Sequence, residues 1–314
     1  MPTRIQSALD SAGVQAARIE WLWWLMFWVC AVVFVLVTGA VVLAVRRGRS
    51  ANPSRPAERT LLIGVASAVG VTILTLFGLL YASVATGRAV GTAPPSDSLT
   101  IQIVGHQWWW EIEYLDPRPS LRVTTANELY LPVGRPVVFV LKSTDVIHSF
   151  WIPNLHGKTD LVPGRQNTTW LQVDVPGTYR GQCAEYCGAH HAHMALPVFA
   201  RPADEFDQWL RAQRELPPQP STPEQTRGLN VVERGPCALC HTIRGTLAAA
   251  RFGPDLTHFA SRSTIAAGTV PNNRGHLAGW LADPQHVKPG NRMPPTGLAP
   301  AELQAVLAYL ETLR

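Results

Sequence analysis

Charge is scarce in this chain: Asp, Glu, Lys and Arg supply only 16% of its 314 residues, against about 25% in an average soluble domain. Cysteine is scarcer, with five positions in all, too few for a disulfide scaffold. At 46% hydrophobic the chain is excluded from the disordered and collagen-like classes. No cleavable secretion signal is expected, because the first twenty residues carry Arg4, Asp10, Arg18 and Glu20 and no apolar stretch of their own. What the chain has is concentration. The apolar residues gather near the N-terminus, and four of the cysteines form two close pairs, Cys183 with Cys187 and Cys237 with Cys240. Such spacing points to metal or haem chemistry.

Residues 21–45 and 61–85 contain no charged side chain, and at ~1.5 Å rise per residue each run can cross a hydrocarbon core about 30 Å thick. They predict two transmembrane helices forming a hairpin in membrane lipid. Trp21, Trp23, Trp24 and Trp28 cluster at one end of the first run, as an interfacial aromatic belt does. Cys30 falls inside the same run as a packing residue. The connection carries Arg46, Arg47, Arg49, Arg55 and Arg59 against one Glu58. An excess of that sign places it in the cytoplasm and everything after residue 86 outside. The alternative is a pair of buried helices in a large soluble protein.

After this N-terminal region, 1–96, the pattern changes. Short β-rich runs at 99–104, 108–114, 136–142, 168–175 and 177–182 are separated by turn residues, which predicts an antiparallel sandwich or barrel over 97–204. A helical segment near 204–214 and a Pro-rich stretch at 216–223 read as a linker over 205–223. Residues 224–314 lack strand alternation and end with Leu303, Val306, Leu307, Leu310 and Leu313 at helical spacing. About ninety residues of this kind build a thin core unless a prosthetic group fills it.

That group is indicated by Cys237-Ala238-Leu239-Cys240-His241, the CxxCH pattern in which two thiols add to the haem vinyl groups and the histidine ligates the iron. Met293 is the only methionine in this region, and a thioether sixth ligand favours electron transfer over oxygen activation. With CALCH, the stretch Phe252-Gly253-Pro254-Asp255-Leu256 and the Arg292-Met293-Pro294-Pro295 segment, residues 224–314 resemble class I cytochromes c. The resemblance implies an all-α fold and a Pro254 carbonyl that accepts the ring N–H of His241. His258, His276 and His286 are then expected on the surface, with a bis-histidine haem using one of them as the alternative.

Gly181 to Met194 reads GQCAEYCGAHHAHM, two cysteines four apart followed by histidines and a methionine on one loop. One thiolate suits a blue-copper site, whereas two can bridge a pair of copper ions, and His148 in the preceding Asp145-Val146-Ile147-His148-Ser149 segment offers a second imidazole. With GHQWWW at 105–110, DVIHSFWIP at 145–153 and GKTDLVPGR at 157–165, the chain through residue 200 resembles subunit II of haem–copper cytochrome c oxidases. The resemblance implies a cupredoxin-like Greek-key β-barrel carrying dinuclear copper CuA. By position, Cys183 and Cys187 bridge the coppers, His148 and His191 each ligate one, Met194 is a weak axial ligand, and the Glu185 carbonyl is its counterpart. His190 and His193 compete with His191 and are otherwise exposed loop residues, as is His156. The Glu185 side chain would reach a magnesium ion at the boundary with the catalytic subunit. Trp108 matches an exposed aromatic that takes the electron from a docked cytochrome, while Trp109 and Trp110 pack.

Residues 97–204 carry eight basic and ten acidic side chains, and residues 224–314 carry nine and six. Opposite signs favour docking of the haem module on the copper module, and a short tether raises its effective concentration. The overall excess of +5 therefore does not indicate nucleic acid. Taken together, the resemblances imply subunit II of a caa-type cytochrome c oxidase in a bacterial membrane. Electrons from an external cytochrome c donor would pass through covalent haem c and CuA to the catalytic subunit I, where oxygen is reduced with proton pumping. A membrane-anchored electron carrier without an oxidase partner is the alternative.

Overall fold

A computed structural model of the chain describes residues 5–48 and 57–314; Arg4 and the connecting Arg49 and Arg55 lie outside these. Two units are distinguished, Ala17–Ala93 and a second unit that joins the segment before it to Pro94–Arg314.

The first unit is made of two long helices, α1 (Val14–Gly48) and α2 (Glu58–Val90). Both outrun the charge-free stretches at each end and are long and apolar enough to cross a membrane. No residue of α2 is buried, and Phe34, Leu62 and Leu74 are each more than two-thirds exposed, which suits side chains whose solvent is lipid. Thr72 and Thr75 return their hydroxyls to the carbonyls of Ala68 and Val71, at 2.9 and 2.8 Å, so neither needs water.

In the second unit, ten strands form two five-stranded sheets. One runs β3-β2-β1-β5-β8 and the other β4-β10-β9-β6-β7, from β1 (Leu99–His106), β2 (Trp109–Tyr114), β3 (Val123–Ala126), β4 (Leu129–Pro132), β5 (Pro136–Ser143), β6 (His148–Trp151), β7 (Thr159–Leu161), β8 (Asn167–Gln172), β9 (Gly177–Cys183) and β10 (Ala195–Arg201). Alternation sets the inner faces: β2 buries Trp110, Ile112 and Tyr114, which meet residues such as Leu129, Leu196 and Val198 of the opposite sheet in one core. This is a cupredoxin-like sandwich. β1 pairs in parallel with β5, and β10 with β4, so the expected all-antiparallel pattern is interrupted by Greek-key crossovers.

Two neighbouring segments extend this domain. Before α1, Ala12 joins the sandwich core and exchanges backbone bonds with Asn154 and Asp174, each 2.8 Å. After β10, α3 (Ala203–Ala212) inserts Phe206 into the same core and stacks Trp209 on Tyr130 at 4.2 Å. The helical part of the expected 205–223 linker is therefore packed on the sandwich, because Phe206 and Trp209 lie on one face of a short amphipathic helix.

The C-terminal module is helical, with α4 (Pro223–Arg234), α5 (Arg274–Ala282), a single turn α6 (Pro284–Val287) and α7 (Pro300–Leu310). Thr222 and Gln225 form a capping box on α4, and Asn273 and Asp283 cap α5 and α6. α4 crosses α7 closely at Gly228. A core of Val232, Phe259, Leu277, Val306 and Leu310 underlies the crossing, with only a two-residue ladder, β11 (Thr264–Ile265) and β12 (Val270–Pro271), as strand.

Candidate metal centres

The loop joining β9 to β10 carries the soft donors. Pairing of β6 with β9 sets Phe150 opposite Cys183, and bonds from Ala184 N–H to Ser149 O and from Cys183 N–H to Met194 O, both 3.0 Å, close the base of the loop. Cys183 Sγ and Cys187 Sγ end 3.7 Å apart. His148 Nδ1 is 3.8 Å from the first sulfur and His191 Nδ1 is 3.7 Å from the second. Met194 Sδ stands 3.9 Å from Cys187 Sγ, and the Glu185 carbonyl 3.2 Å from Cys183 Sγ. Among the described residues, the ligand atoms of His148, Cys183 and Cys187 form the one His/Cys/Asp/Glu cluster tight enough to hold a metal ion. Two thiols, two imidazoles, a thioether and a carbonyl in this arrangement fit a pair of copper ions.

Electrostatics prepare the set. The contact with Cys187 pulls the Cys183 thiol well down, and the same contact together with burial pushes Cys187 up, so one thiolate forms readily beside a retained proton. His148 is fully buried, and its Nε2 meets Asp145 Oδ1 at 2.8 Å. Burial is the largest single influence and opposes protonation of the ring, but the contacts with Asp145 and Cys183 together outweigh it and raise the pKa. Asp145 thereby fixes the ring and leaves Nδ1 to the sulfur side.

The haem-type residues surround a cavity of about 310 Å³ whose lining includes Cys237, Cys240, His241, Pro254 and Met293. His241 Nδ1 bonds Pro254 O at 2.8 Å, which leaves Nε2 as the available ligand atom, and burial pushes the ring towards its neutral form. Gly253 is required beside it, since a Cβ there would lie 2.7 Å from His241 Cε1. Gln285 Nε2 and Asn291 Oδ1 hold the backbone of Met293 at 2.9 and 2.8 Å. Free thiols, an imidazole with one nitrogen engaged and a thioether around an apolar cavity fit a covalently held haem.

Residues 117–200 match the family Cytochrome C oxidase subunit II, periplasmic domain, and residues 226–314 match Cytochrome c. Cytochrome c oxidase subunit 2 of Alkalihalophilus pseudofirmus is 34% identical over 98% of this chain and 91% of its own length. The chain belongs to the cytochrome c oxidase subunit 2 family. The Bacillus sp. PS3 member is also 34% identical, over 69% of this chain and 63% of its own. A crystal structure of the periplasmic domain of a Bradyrhizobium japonicum oxidase subunit II is 30% identical over 38% of this chain and 96% of its own, with a TM-score of 0.36. As in that family, the β-sandwich implies CuA copper and the helical module implies haem.

Several subunit 2 positions sit differently from expectation. Trp108 is half-buried: its Nε1 donates to Cys187 O at 2.9 Å, and together with His106 and Trp109 it closes the sandwich side of the haem-type cavity. His190 is buried, edge-on to Trp108 and bonded to Pro289 O of the helical module. His258 is also buried, against Arg244 at 3.1 Å, and His156 is half-buried and bonded to Gly157 O. Trp108 and His190 are each covered by the helical module, which is distant in sequence. The Glu185 carboxylate pairs with Lys158 at 2.9 Å. Asp145, Glu128 and Lys288 carried no assigned role in the sequence; only Asp145 had a local signal, three residues before His148.

Proposed function

We propose that this chain is the electron-accepting subunit of a terminal cytochrome c oxidase, taking electrons from a c-type cytochrome donor at its helical module and delivering them through the sandwich domain to a catalytic subunit I. The observation that carries the reading is the cavity holding His241 and Met293, which is walled on its far side by Trp108, itself bonded to the Cys187 carbonyl. When bound, covalent haem and dinuclear copper supply one-electron redox chemistry on the two sides of that wall.

The protein's own residues position and insulate. Cys237 and Cys240 would attach the porphyrin, with His241 and Met293 as the residues that would hold its iron and Pro254 fixing the imidazole. Cys183, Cys187, His148, His191, Met194 and the Glu185 carbonyl would hold the coppers, with Asp145 locking His148. Two thiolates would share the charge of the metals they hold. Burial of His148, Cys183, Cys187 and Met194 keeps water away from the copper side. Trp108 offers an aromatic bridge between them. Magnesium at the Glu185 side chain would require that carboxylate to leave Lys158.

The arginine-rich connection supports a cytoplasmic loop with both soluble domains on the outer face of a bacterial membrane, anchored by two spans. Oxygen reduction and proton pumping would then belong to the partner subunit. Copper and iron analysis of the purified protein tests the reading: two coppers and one covalent haem per chain are expected, and one copper or none overturns it. Cys187→Ser should abolish turnover with cytochrome c while the haem c bands persist; retained turnover would place the route elsewhere.

A further inference from the structure

The contact between the sandwich and the helical module buries two ionisable side chains of opposite sign, each hydrogen-bonded to the other module. Lys288, one residue beyond α6, is 3% exposed. Its Nζ donates to Trp108 O at 2.8 Å, His193 O at 2.9 Å and Ala266 O at 3.0 Å, using all three ammonium hydrogens. The first carbonyl belongs to the β1–β2 turn, the second to the loop of soft ligands and the third to the helical module itself. Burial lowers the Lys288 pKa to about 7, against which three carbonyl acceptors favour the charged form.

Glu128, between β3 and β4, is likewise 3% exposed. Its Oε1 accepts from Ser263 N–H at 2.7 Å, Ser263 Oγ at 2.6 Å and Thr264 N–H at 3.3 Å. A backbone bond from Ala195 N–H to Ala267 O, 3.1 Å, lies in the same contact. By contrast, the two ion pairs that cross it, Arg292 with Asp145 and Arg251 with Glu111, have arginines 66% and 65% exposed at 3.3 and 3.9 Å. Such pairs contribute little and are screened by salt.

Encounter surfaces of soluble electron carriers use solvated charges that tolerate many orientations. A buried ammonium aimed at three converging carbonyls tolerates one, because any slip strands a desolvated charge. We propose that Lys288 and Glu128 form a reciprocal clasp that keeps the cytochrome module seated in a single orientation over the Trp108 turn, as a fixed conductor and not a tethered shuttle. Both act as positioning residues. The seating is independent of the proposed electron path; its consequence for transfer rests on that reading.

The test uses the full chain, copper- and haem-loaded, in detergent. Amide hydrogen exchange at Ser263 reads the Glu128 bond directly, and flash-induced electron transfer between haem and copper reads the orientation. In the unaltered protein, Ser263 should stay protected and the transfer rate constant as salt is raised from ~0.01 to ~0.5 M, across which the Debye length falls several-fold. Lys288→Met should speed Ser263 exchange about tenfold or more and make the transfer rate fall with salt, with haem and copper spectra unchanged. Glu128→Gln should act in the same direction. Salt-sensitive exchange in the unaltered protein overturns the clasp, as does a Lys288→Met protein with normal spectra and unaltered exchange. Should Lys288→Met fail to fold, Glu128→Gln and the salt series decide alone, and unchanged exchange in Glu128→Gln overturns the clasp. Absence of copper or of transfer in the unaltered protein overturns the proposed function instead and leaves the exchange result standing.

Discussion

Replacing Asp145 with asparagine isolates what holds His148 in place. The two carboxylate oxygens of Asp145 accept four bonds: Oδ1 from His148 Nε2 and Val146 N–H, both 2.8 Å, and Oδ2 from Gln107 N–H at 2.8 Å and Arg292 Nη2 at 3.3 Å. An asparagine has one oxygen, so in either rotamer its NH₂ faces two donors. With the oxygen towards His148, the Gln107 N–H loses its acceptor, at a cost of about 1–3 kcal/mol; with the amide reversed, His148 loses its anchor. Loss of a carboxylate behind a ligating histidine typically lowers metal affinity ~10–100-fold, or about 1.4–2.8 kcal/mol. Copper competition against a chelator of known affinity, with the visible bands of the bound metal, measures this. Arg292→Gln is the control, since it removes the exposed partner while His148 keeps its bond. Asp145→Asn binding copper within about twofold of the unaltered protein would refute the idea that Asp145 positions the ligand.

Gly228→Ala would put a methyl group 2.0 Å from Ala305 O and 2.6 Å from Ala305 C, forcing α4 and α7 apart and costing about 1–3 kcal/mol or more; thermal unfolding of the helical module measures it, and an unchanged midpoint contradicts the crossing. Tyr114 is fully buried, with its hydroxyl between the N–H and carbonyl of Tyr130 at 2.8 and 3.0 Å. Tyr114→Phe should therefore lower sandwich stability by about 1–3 kcal/mol in urea, and a loss below a few tenths would show that water replaces the hydroxyl. Burial lowers His106 from 6.5 to about 4. The unfolded chain then takes up this proton first, so His106 contributes stability that is intact above pH 6.5 and is lost as pH falls towards 4. His106→Gln should flatten that part of the denaturation-midpoint curve, and parallel curves for the two proteins would exclude the assignment.

Much of the fold was legible because its signals are local. Charge-free runs located both long helices, with ends that moved outward once the polar flanks proved helical. Strands with clean alternation, such as β2, were readable, whereas β6 and β7 were not: they are only 4 and 3 residues long and are defined by pairing with distant strands. The sulfur and imidazole donors stand together in motifs, although only the family resemblance singled out His191 from His190 and His193. The partners that aim them were harder to see. Nothing adjacent to Trp108 or His190 predicts burial; both are covered by a module more than ninety residues away. α3 looked like part of a linker because its apolar face has meaning only once Tyr130 lies opposite.

The charge balance between the modules pointed to their association, but for a reason that the contact only partly uses. Counting net charge treats every ionic group as a solvated point whose effect is long-range steering. Two exposed arginine pairs behave in that way. Lys288 and Glu128 enter that count as one charge on each module, yet together they make six hydrogen bonds in the buried contact. Their partners are backbone groups and a serine hydroxyl, which no charge count registers. Attraction between the domains was thus visible in the composition, whereas orientation depends on where main-chain carbonyls and amides converge, and that is a property of the folded chain alone.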